Sequence, residues 1–250
     1  MEEVIAEAWA TEGLGLLALG VALAGLVRGF SGFGTAMIYL PIAGQVLPPV
    51  WVLITMLVFD FFGPLPAAPR AWAAAHRADL GRLALGALIA MPLGVLVLTQ
   101  LSPDVFRYVV SVLALGLLAI LISGFRWRGS VGPPMVFGTG GVAGFLAGAA
   151  GLPGPPVILF YMARPLPPEV IRANVLLFLW LSDLSLLLIF WLRGFLVPEP
   201  LVIGALLLPL YIVGILVGTA IFDPAREVVY RRVAYAIIAA SALSGLPFWG

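Results

Sequence analysis

The sequence predicts an all-α polytopic membrane protein made of two inverted-topology repeats, each a re-entrant or broken-helix hairpin followed by three transmembrane helices. Three observations carry that prediction. Of the 250 residues, 62% are hydrophobic and 10% charged, and the mean hydropathy of +1.14 lies far above the soluble globular range. Six apolar stretches approach or reach membrane length. Two more apolar regions are broken near their middles by glycine or proline, and these two resemble each other.

A hydrocarbon core ~30 Å thick takes ~20 apolar residues to cross as a helix. The six stretches lie near 50–68, 83–101, 105–123, 173–192, 200–221 and 232–248. Strict alternation is missing from all of them, which predicts helices rather than barrel strands. The regions 14–47 and 135–163 differ. At ~1.5 Å per residue the arm from Leu14 to Val27 reaches only ~21 Å and the arm from Thr35 to Leu47 only ~20 Å. Two short arms about a flexible tip predict a re-entrant hairpin, whose irregular backbone is tolerable where it lines a protein-enclosed, watery cavity. The second region reads likewise, with GAAGLPGPP (Gly148 to Pro156) at its tip.

Shifting the chain by 119 residues lays Ala24, Gly25, Gly29 and Gly32 over Ala143, Gly144, Gly148 and Gly151. With small gaps, Asp60 in VFDFF falls on Asp183 in LSDLS, and Pro92 to Thr99 falls on Ile212 to Thr219. The chain thus reads as one membrane domain over 1–250, with repeat 1 at 12–124 and repeat 2 at 134–250.

If each hairpin returns to its own side, three spans make an odd repeat and the second copy inserts upside down. One face then holds Arg70, Arg77, Arg82, Arg126, Arg128, Arg164, Arg172, Arg226, Arg231 and Arg232, and the other only Arg107 and Arg193. Ten against two is the positive-inside pattern, and it predicts a cytoplasmic (inner) membrane protein with both termini outside. A simple eight-span topology would erase the bias. Two full crossings per broken region would keep the same parity, so hairpins and paired short spans both fit.

Several function classes are excluded or disfavoured. The chain has no cysteine, so thiolate chemistry and thiolate metal sites are absent, and its one histidine, His76, builds no histidine metal cluster; no cofactor and no metal are expected. It has no lysine, so no P-loop lysine. No basic face interleaved with aromatics appears, which argues against nucleic acid. The opening MEEVIAEAWATEG carries acids where a secretory leader carries bases, so no cleaved leader is expected. The tryptophans suit an interfacial belt facing the lipid bilayer.

The stretch GLVRGFSGFGTA (Gly25 to Ala36) sets the chain's most expensive charge beside its most helix-breaking residues. Arg28 offers a fixed fork of donors to a carboxylate or sulfonate and stays charged at any cellular pH. The helix starting after the tip, near Ser31 and Thr35, would aim free amides at the same place. Gly29, Gly32 and Gly34, with Gly148, Gly151 and Gly154 in the second tip, read as substrate-facing backbone. Pro155 and Pro156 suit a second helix start, where a missing amide costs nothing. Broken elements at matching positions of two halves are the sequence pointer to a carrier's central site.

Competing readings stand beside these. Arg28 could snorkel to the nearer interface or pair structurally with Asp60 or Asp183. Spacings such as Gly25 to Gly29 and Gly144 to Gly148 also suit close helix packing. Asp60 and Asp183 fall about halfway along their predicted spans, as candidate proton sites or as structural partners of Arg28. Thr55, Asn174, Ser182 and Ser185 are polar neighbours of the kind that usually bond within their own helices. His76 reads as a solvated loop residue.

The residues GLVRGFSGFGTAMIYLP (Gly25 to Pro41) and GFLAGAAGLPGPPVILFYM (Gly144 to Met162) resemble the TauE/SafE family of sulfite exporters and anion permeases. The resemblance covers nearly the whole chain as pattern: two related halves, each opening on a segment of G-x3-G-x2-G-x-G type. It implies movement of small organic or sulfur anions, such as sulfite, thiosulfate, sulfonates or carboxylates, and carries the family glycines onto Gly29, Gly32, Gly34, Gly148, Gly151 and Gly154. Thr35, Ala36 and Pro153 depart from the family pattern, which bears on substrate more than on fold.

The expected function is therefore a secondary transporter that holds a small anion at the midplane between two glycine-rich tips, coupled to protons or sodium. The alternatives are a passive anion channel, or a non-transporting membrane subunit or intramembrane enzyme. Ser-His-Asp catalysis would need a loop histidine far from the candidate acids, which disfavours the enzyme.

Overall fold

The computed structural model describes residues 2–63, 65, 67–123, 132–162, 164 and 166–247. Among them the chain forms twelve α-helices and no strand. In the first half these are α1 (Glu2–Trp9), α2 (Leu14–Ser31), α3 (Thr35–Ala43), α4 (Pro49–Asp60), α5 (Ala68–Ala74), α6 (Arg77–Leu98) and α7 (Pro103–Ser123). The second half gives α8 (Pro133–Ala150), α9 (Gly154–Met162), α10 (Pro168–Leu192), α11 (Pro198–Ile221) and α12 (Glu227–Gly245). Five of them, α2, α6, α7, α10 and α11, are long and apolar enough to cross a membrane.

Four predicted spans coincide with α6, α7, α10 and α11. Three expectations need correction. The span at 50–68 stops at Asp60 after twelve residues, because Phe61 and Phe62 run into the sequence GPLP, and a proline disfavours the helical conformation of the residue before it. Asp60 is thus a helix end, not a mid-span residue. The stretch 232–248 is α12, which starts earlier with Arg231 and Arg232 in its opening turns and is not among the five. The arm Leu14–Val27 runs on to Ser31, so α2 has 18 residues, or ~27 Å, and reaches membrane length by itself.

The two broken regions fold alike. Each is an 18-residue helix, a three-residue break and a 9-residue helix. Their boundaries differ throughout by the same 119 residues, and the following helices α4 and α10 both open on a proline at that offset, Pro49 and Pro168. What ends α2 and α8 is the same backbone turn: Gly32 and Gly151 take φ of 78° and 66°, a left-handed conformation costly for any residue with a Cβ. The N–H of Gly32 bonds the carbonyl of Arg28 at 2.9 Å, and the N–H of Gly151 bonds Ala147 at 2.9 Å, closing each helix. The breaks then diverge. Gly34 continues at φ 102°, where its counterpart Pro153 is fixed near −65°.

By contact the chain divides into two compact units that each draw on both halves of the sequence. One contains α1 to α4, most of α7, α11 and α12. In it α2 crosses α11 at glycines: a Cβ on Gly25 would meet the carbonyl of Tyr211, and one on Gly29 would meet Ile215 and Gly218 backbone. Helix α11 also receives α4, where Gly204 lies against Val58 and Thr55, and α3 is backed by α12, where Gly245 lies on Pro41. Leu17, Val21, Ile38, Leu40, Leu53, Ile54 and Phe59 are fully buried among these helices.

The other unit contains α5, α6, α8, α9 and α10. Its α6–α8 crossing repeats the scheme: Gly144 lies on Ala87, Gly148 on Met91 and Gly94, and Gly140 on Leu83. Leu83, Ala87, Val157, Phe160, Tyr161 and Phe178 make its core. In both units the glycine-rich arm of one half of the chain therefore packs on a long helix from the other half, and glycine is what lets the backbones approach so closely.

Candidate functional site

In the first unit, α2 ends one turn past Arg28, and α4 ends on Asp60. Arg28 Nη1 lies 3.8 Å from Asp60 Oδ2, with the two side chains 15% and 13% exposed. Of the two pairings considered for Arg28, with Asp60 or with Asp183, the one with Asp60 is present. The hydroxyl of Tyr211, from α11, donates to Asp60 Oδ1. Tyr211 OH and Thr35 Oγ1 are 2.9 Å apart. A tyrosine has one proton to give, and with it spent on Asp60 the Thr35 hydroxyl donates to the tyrosine oxygen. The result is one buried chain, Thr35 to Tyr211 to Asp60 to Arg28, from four helices.

The sequence folds locally to make this chain. Gly25 leaves the space that the Tyr211 ring and carbonyl occupy. Phe59 packs on Tyr211 with ring centroids 4.8 Å apart and edge-on against Tyr39 at 4.9 Å, and Tyr39 OH is 2.8 Å from Thr55 Oγ1. Thr35 is the first residue of α3, 2% exposed, and α3 begins without a side-chain cap after Gly34. The first amides of α3 are thus left to other partners, as helix starts are.

The other predicted site residues fall into three groups. Ser31 closes α2, its hydroxyl lying 2.7 Å from the Val27 carbonyl and 2.9 Å from that of Phe33. Gly29 and Gly148 sit at the helix crossings, as the packing reading had it, and the Gly29 carbonyl accepts from Thr219 at 3.2 Å. Gly32, Gly34 and Gly151 belong to the breaks; the space where a Cβ on Gly32 would point is open, and Gly154 opens α9 ahead of buried Pro155. Asp183 is 8% exposed in the interior of α10, in the second unit.

That unit carries its own polar cluster. Asp79, 2% exposed, accepts from Arg164, lies 3.5 Å from Arg82 Nη1 and 3.1 Å from His76 Nδ1. His76 is no free loop residue: its backbone N–H donates to Asn174 Oδ1 at 2.8 Å, and the Asn174 amide donates to its carbonyl at 3.3 Å and to Tyr161 OH at 2.5 Å. Of the polar neighbours singled out, Ser185 bonds its own helix at Leu181 (2.7 Å) as expected, and Thr55 has Val52 O at 2.9 Å. Asn174 instead holds a loop across 98 residues. Ser182 is buried with no hydrogen-bond partner among the described residues.

Sequence reasoning missed Tyr211, Tyr161, Asp79 and Arg164 as members of these clusters. The structure corrects the register of α6 on α11, which the sequence alignment of Pro92–Thr99 with Ile212–Thr219 puts at 120. Ile215 and Gly218 meet Gly29 as Met91 and Gly94 meet Gly148, so α11 and α6 correspond at an offset of 124, and this places Tyr211 on Ala87. At the offset of 119, Arg28, Thr35 and Asp60 fall on Ala147, Gly154 and Leu179. Arg28 and Thr35 thus have an apolar and a glycine counterpart in the second half, while Asp60 falls on Leu179 at this offset and on Asp183 with the small gaps of the sequence alignment.

Long apolar helices, paired glycine-broken segments and buried charge define a polytopic α-helical membrane protein with a charged site in its interior. The sequence pattern of the sulfite exporter TauE/SafE family matches residues 17–245, and the chain belongs to that family. It is accordingly a membrane transporter of that type and not an enzyme. No curated protein and no solved structure matches the chain.

Proposed function

We propose that the chain is a secondary transporter of a small organic or sulfur-containing anion, such as sulfite, thiosulfate, a sulfonate or a carboxylate, across the cytoplasmic membrane. The carrying observation is Arg28, 15% exposed at the end of α2 and immediately before a break whose Gly32 faces open space. An arginine at membrane depth is functional by default. In this reading Arg28 holds the charge of the anion, the uncapped start of α3 at Gly34 and Thr35 offers amides to its oxygens, and the second break, Gly151 to Pro153, with the start of α9 at Gly154 and Pro155, offers backbone of the same kind. The transport is ion-coupled, with Asp60 and Asp183 as candidate proton carriers. The sequence repeats 12–124 and 134–250 are inverted copies in this reading, and alternating access follows from that symmetry.

Reconstitution tests it. The purified chain in liposomes takes up members of a labelled anion panel saturably, an imposed pH gradient accelerates uptake, and Arg28→Ala abolishes it. A passive channel instead gives flux without saturation and without response to the gradient. No flux of any anion by correctly inserted protein would end the carrier reading.

A further inference from the structure

We propose that the Ser182 hydroxyl of α10 donates a hydrogen bond to an oxygen of the transported anion at the second break. This rests on the reading that the break between α8 and α9 lines the anion site.

The second break shares the left-handed turn of the first but offers its ligand fewer donors. At the start of α3 every residue from Gly34 to Met37 carries an amide hydrogen, whereas at the start of α9 three of the four residues from Pro153 to Pro156 are prolines. Just before them, the N–H of Gly151 is spent on Ala147 and that of Leu152 on Leu146. From Gly151 to Pro156 this leaves only the Gly154 amide. A helix start binds an anion through its free amides, so an oxyanion at this break needs a donor from another element.

Helix α10 has such a donor, and the contacts of α9 fix its place. A Cβ on Gly154, the first residue of α9, would touch the Leu179 side chain, and near the other end the Tyr161 hydroxyl accepts from Asn174 at 2.5 Å. Helix α9 therefore runs antiparallel along α10, with Val157, Phe160 and Tyr161 packed in one core with Leu177 and Phe178. Ser182 follows Phe178 by four residues and Leu179 by three, so it continues that face of α10 one turn on, beyond the first residue of α9 and level with the break. It is 3% exposed, and its hydroxyl has no hydrogen-bond partner among the described residues.

A serine inside a membrane helix ordinarily spends its proton on a carbonyl of the preceding turn, as Ser185 does at Leu181. Ser182 keeps its own. A buried hydroxyl without a partner lowers stability, and an oxyanion that accepts from it restores what is lost. Ser111 is also buried without a partner, but it lies beside Gly245 and Pro41, towards the far end of α3 from the first break.

The test uses the purified full chain with thiosulfate, sulfite, methanesulfonate and acetate as probes. Melting midpoints are read with and without each probe, and initial rates of labelled uptake into liposomes give KM. Without anion, Ser182→Ala should melt at or above the wild-type temperature, because it loses an unsatisfied polar group. The probe that raises the wild-type midpoint most should raise the variant's by less, and its KM should increase about tenfold or more, as the loss of a hydrogen bond to a charged group requires. Ser185→Ala should change neither the anion-induced shift nor KM. A Ser182→Ala variant that binds and carries the anion as the wild type does overturns the assignment and leaves the carrier intact. A variant that melts well below the wild type, or does not fold, overturns it as well, because the hydroxyl then has its partner within the protein. If no probe shifts the midpoint of the wild type or crosses with it, the anion site itself is wrong.

Discussion

The hydroxyl of Tyr211 donates to the carboxylate of Asp60 across 151 residues of sequence, joining a helix of the second half to one of the first. The pairing exists because Gly25 on α2 leaves room for the tyrosine. The Thr35 hydroxyl lies 2.9 Å from the tyrosine oxygen on its other side. The acid that faces Arg28 is thus also held by an uncharged group from another helix.

Tyr211→Phe keeps the ring between Gly25 and Phe59 and removes only the donor. A hydrogen bond to a charged group is worth about 1.5–3 kcal/mol, so saturable anion uptake should fall by at least tenfold while the purified protein melts within a few degrees of the wild type. Initial-rate uptake beside a melting curve checks it. Unchanged uptake would mean that Tyr211 has no part in holding Asp60 for transport.

Some glycines touch the backbone of a neighbouring helix and others touch nothing. A Cβ on Gly218 would run into the carbonyl of Leu26, and one on Gly148 into that of Met91, whereas one on Gly116 meets nothing within 4 Å. Gly218→Ala and Gly148→Ala should each destabilise the protein, by about 1–3 kcal/mol as overpacked cores do. Gly116→Ala, mid-helix in α7, should leave the melting midpoint unchanged or raise it, because alanine is the better helix former. Parallel melting curves of the three variants in detergent decide this.

Much of this was legible in the sequence, and the limits have physical causes. The 119-residue offset, found from Ala24, Gly25, Gly29 and Gly32, reproduces the boundaries of four helices because glycine and proline positions set where helices stop and start. Helix ends were less legible where two signals competed: Gly29 suggested that α2 ends early, yet a glycine inside a helix costs only about 1 kcal/mol, and the close approach to Ile215 uses it. Arg28 and Asp60 were visible as charges in apolar surroundings. Tyr211 was not, since a tyrosine in an apolar run reads as core until its partner is known. The discontinuous units were likewise hidden, because α2 on α11 and α8 on α6 are contacts between distant segments that no local pattern encodes.

Asn174 predicts a stability effect remote from the first unit. Fully buried, it pairs with both backbone groups of His76 and with Tyr161 OH, fastening the start of α6 to α10. Asn174→Ala leaves those groups without their partner, at about 1–3 kcal/mol for each unsatisfied buried donor or acceptor. A lower melting midpoint and faster amide exchange across residues 75–79 are expected, with the exchange elsewhere in α6 little altered. Unchanged exchange at 75–79 would mean that the loop is held by the Asp79 ion pairs instead.

The arginine bias makes a prediction about sidedness that this chain is well suited to test. It has no native cysteine, so single introduced thiols report without background. With arginines on the cytoplasmic side, Ala74→Cys and Ala225→Cys should be shielded from an impermeant thiol reagent in intact cells and labelled only after lysis. Ser102→Cys and Pro198→Cys should be labelled in intact cells. All four positions are exposed, so a failure to react reports the side of the membrane rather than burial. Because 74 and 102 flank α6 and 198 and 225 flank α11, each pair checks one crossing. Labelling of Ala74→Cys with Ser102→Cys shielded would reverse the orientation of the chain. Ala74→Cys and Ala225→Cys on opposite sides would break the parity that makes the two halves inverted copies.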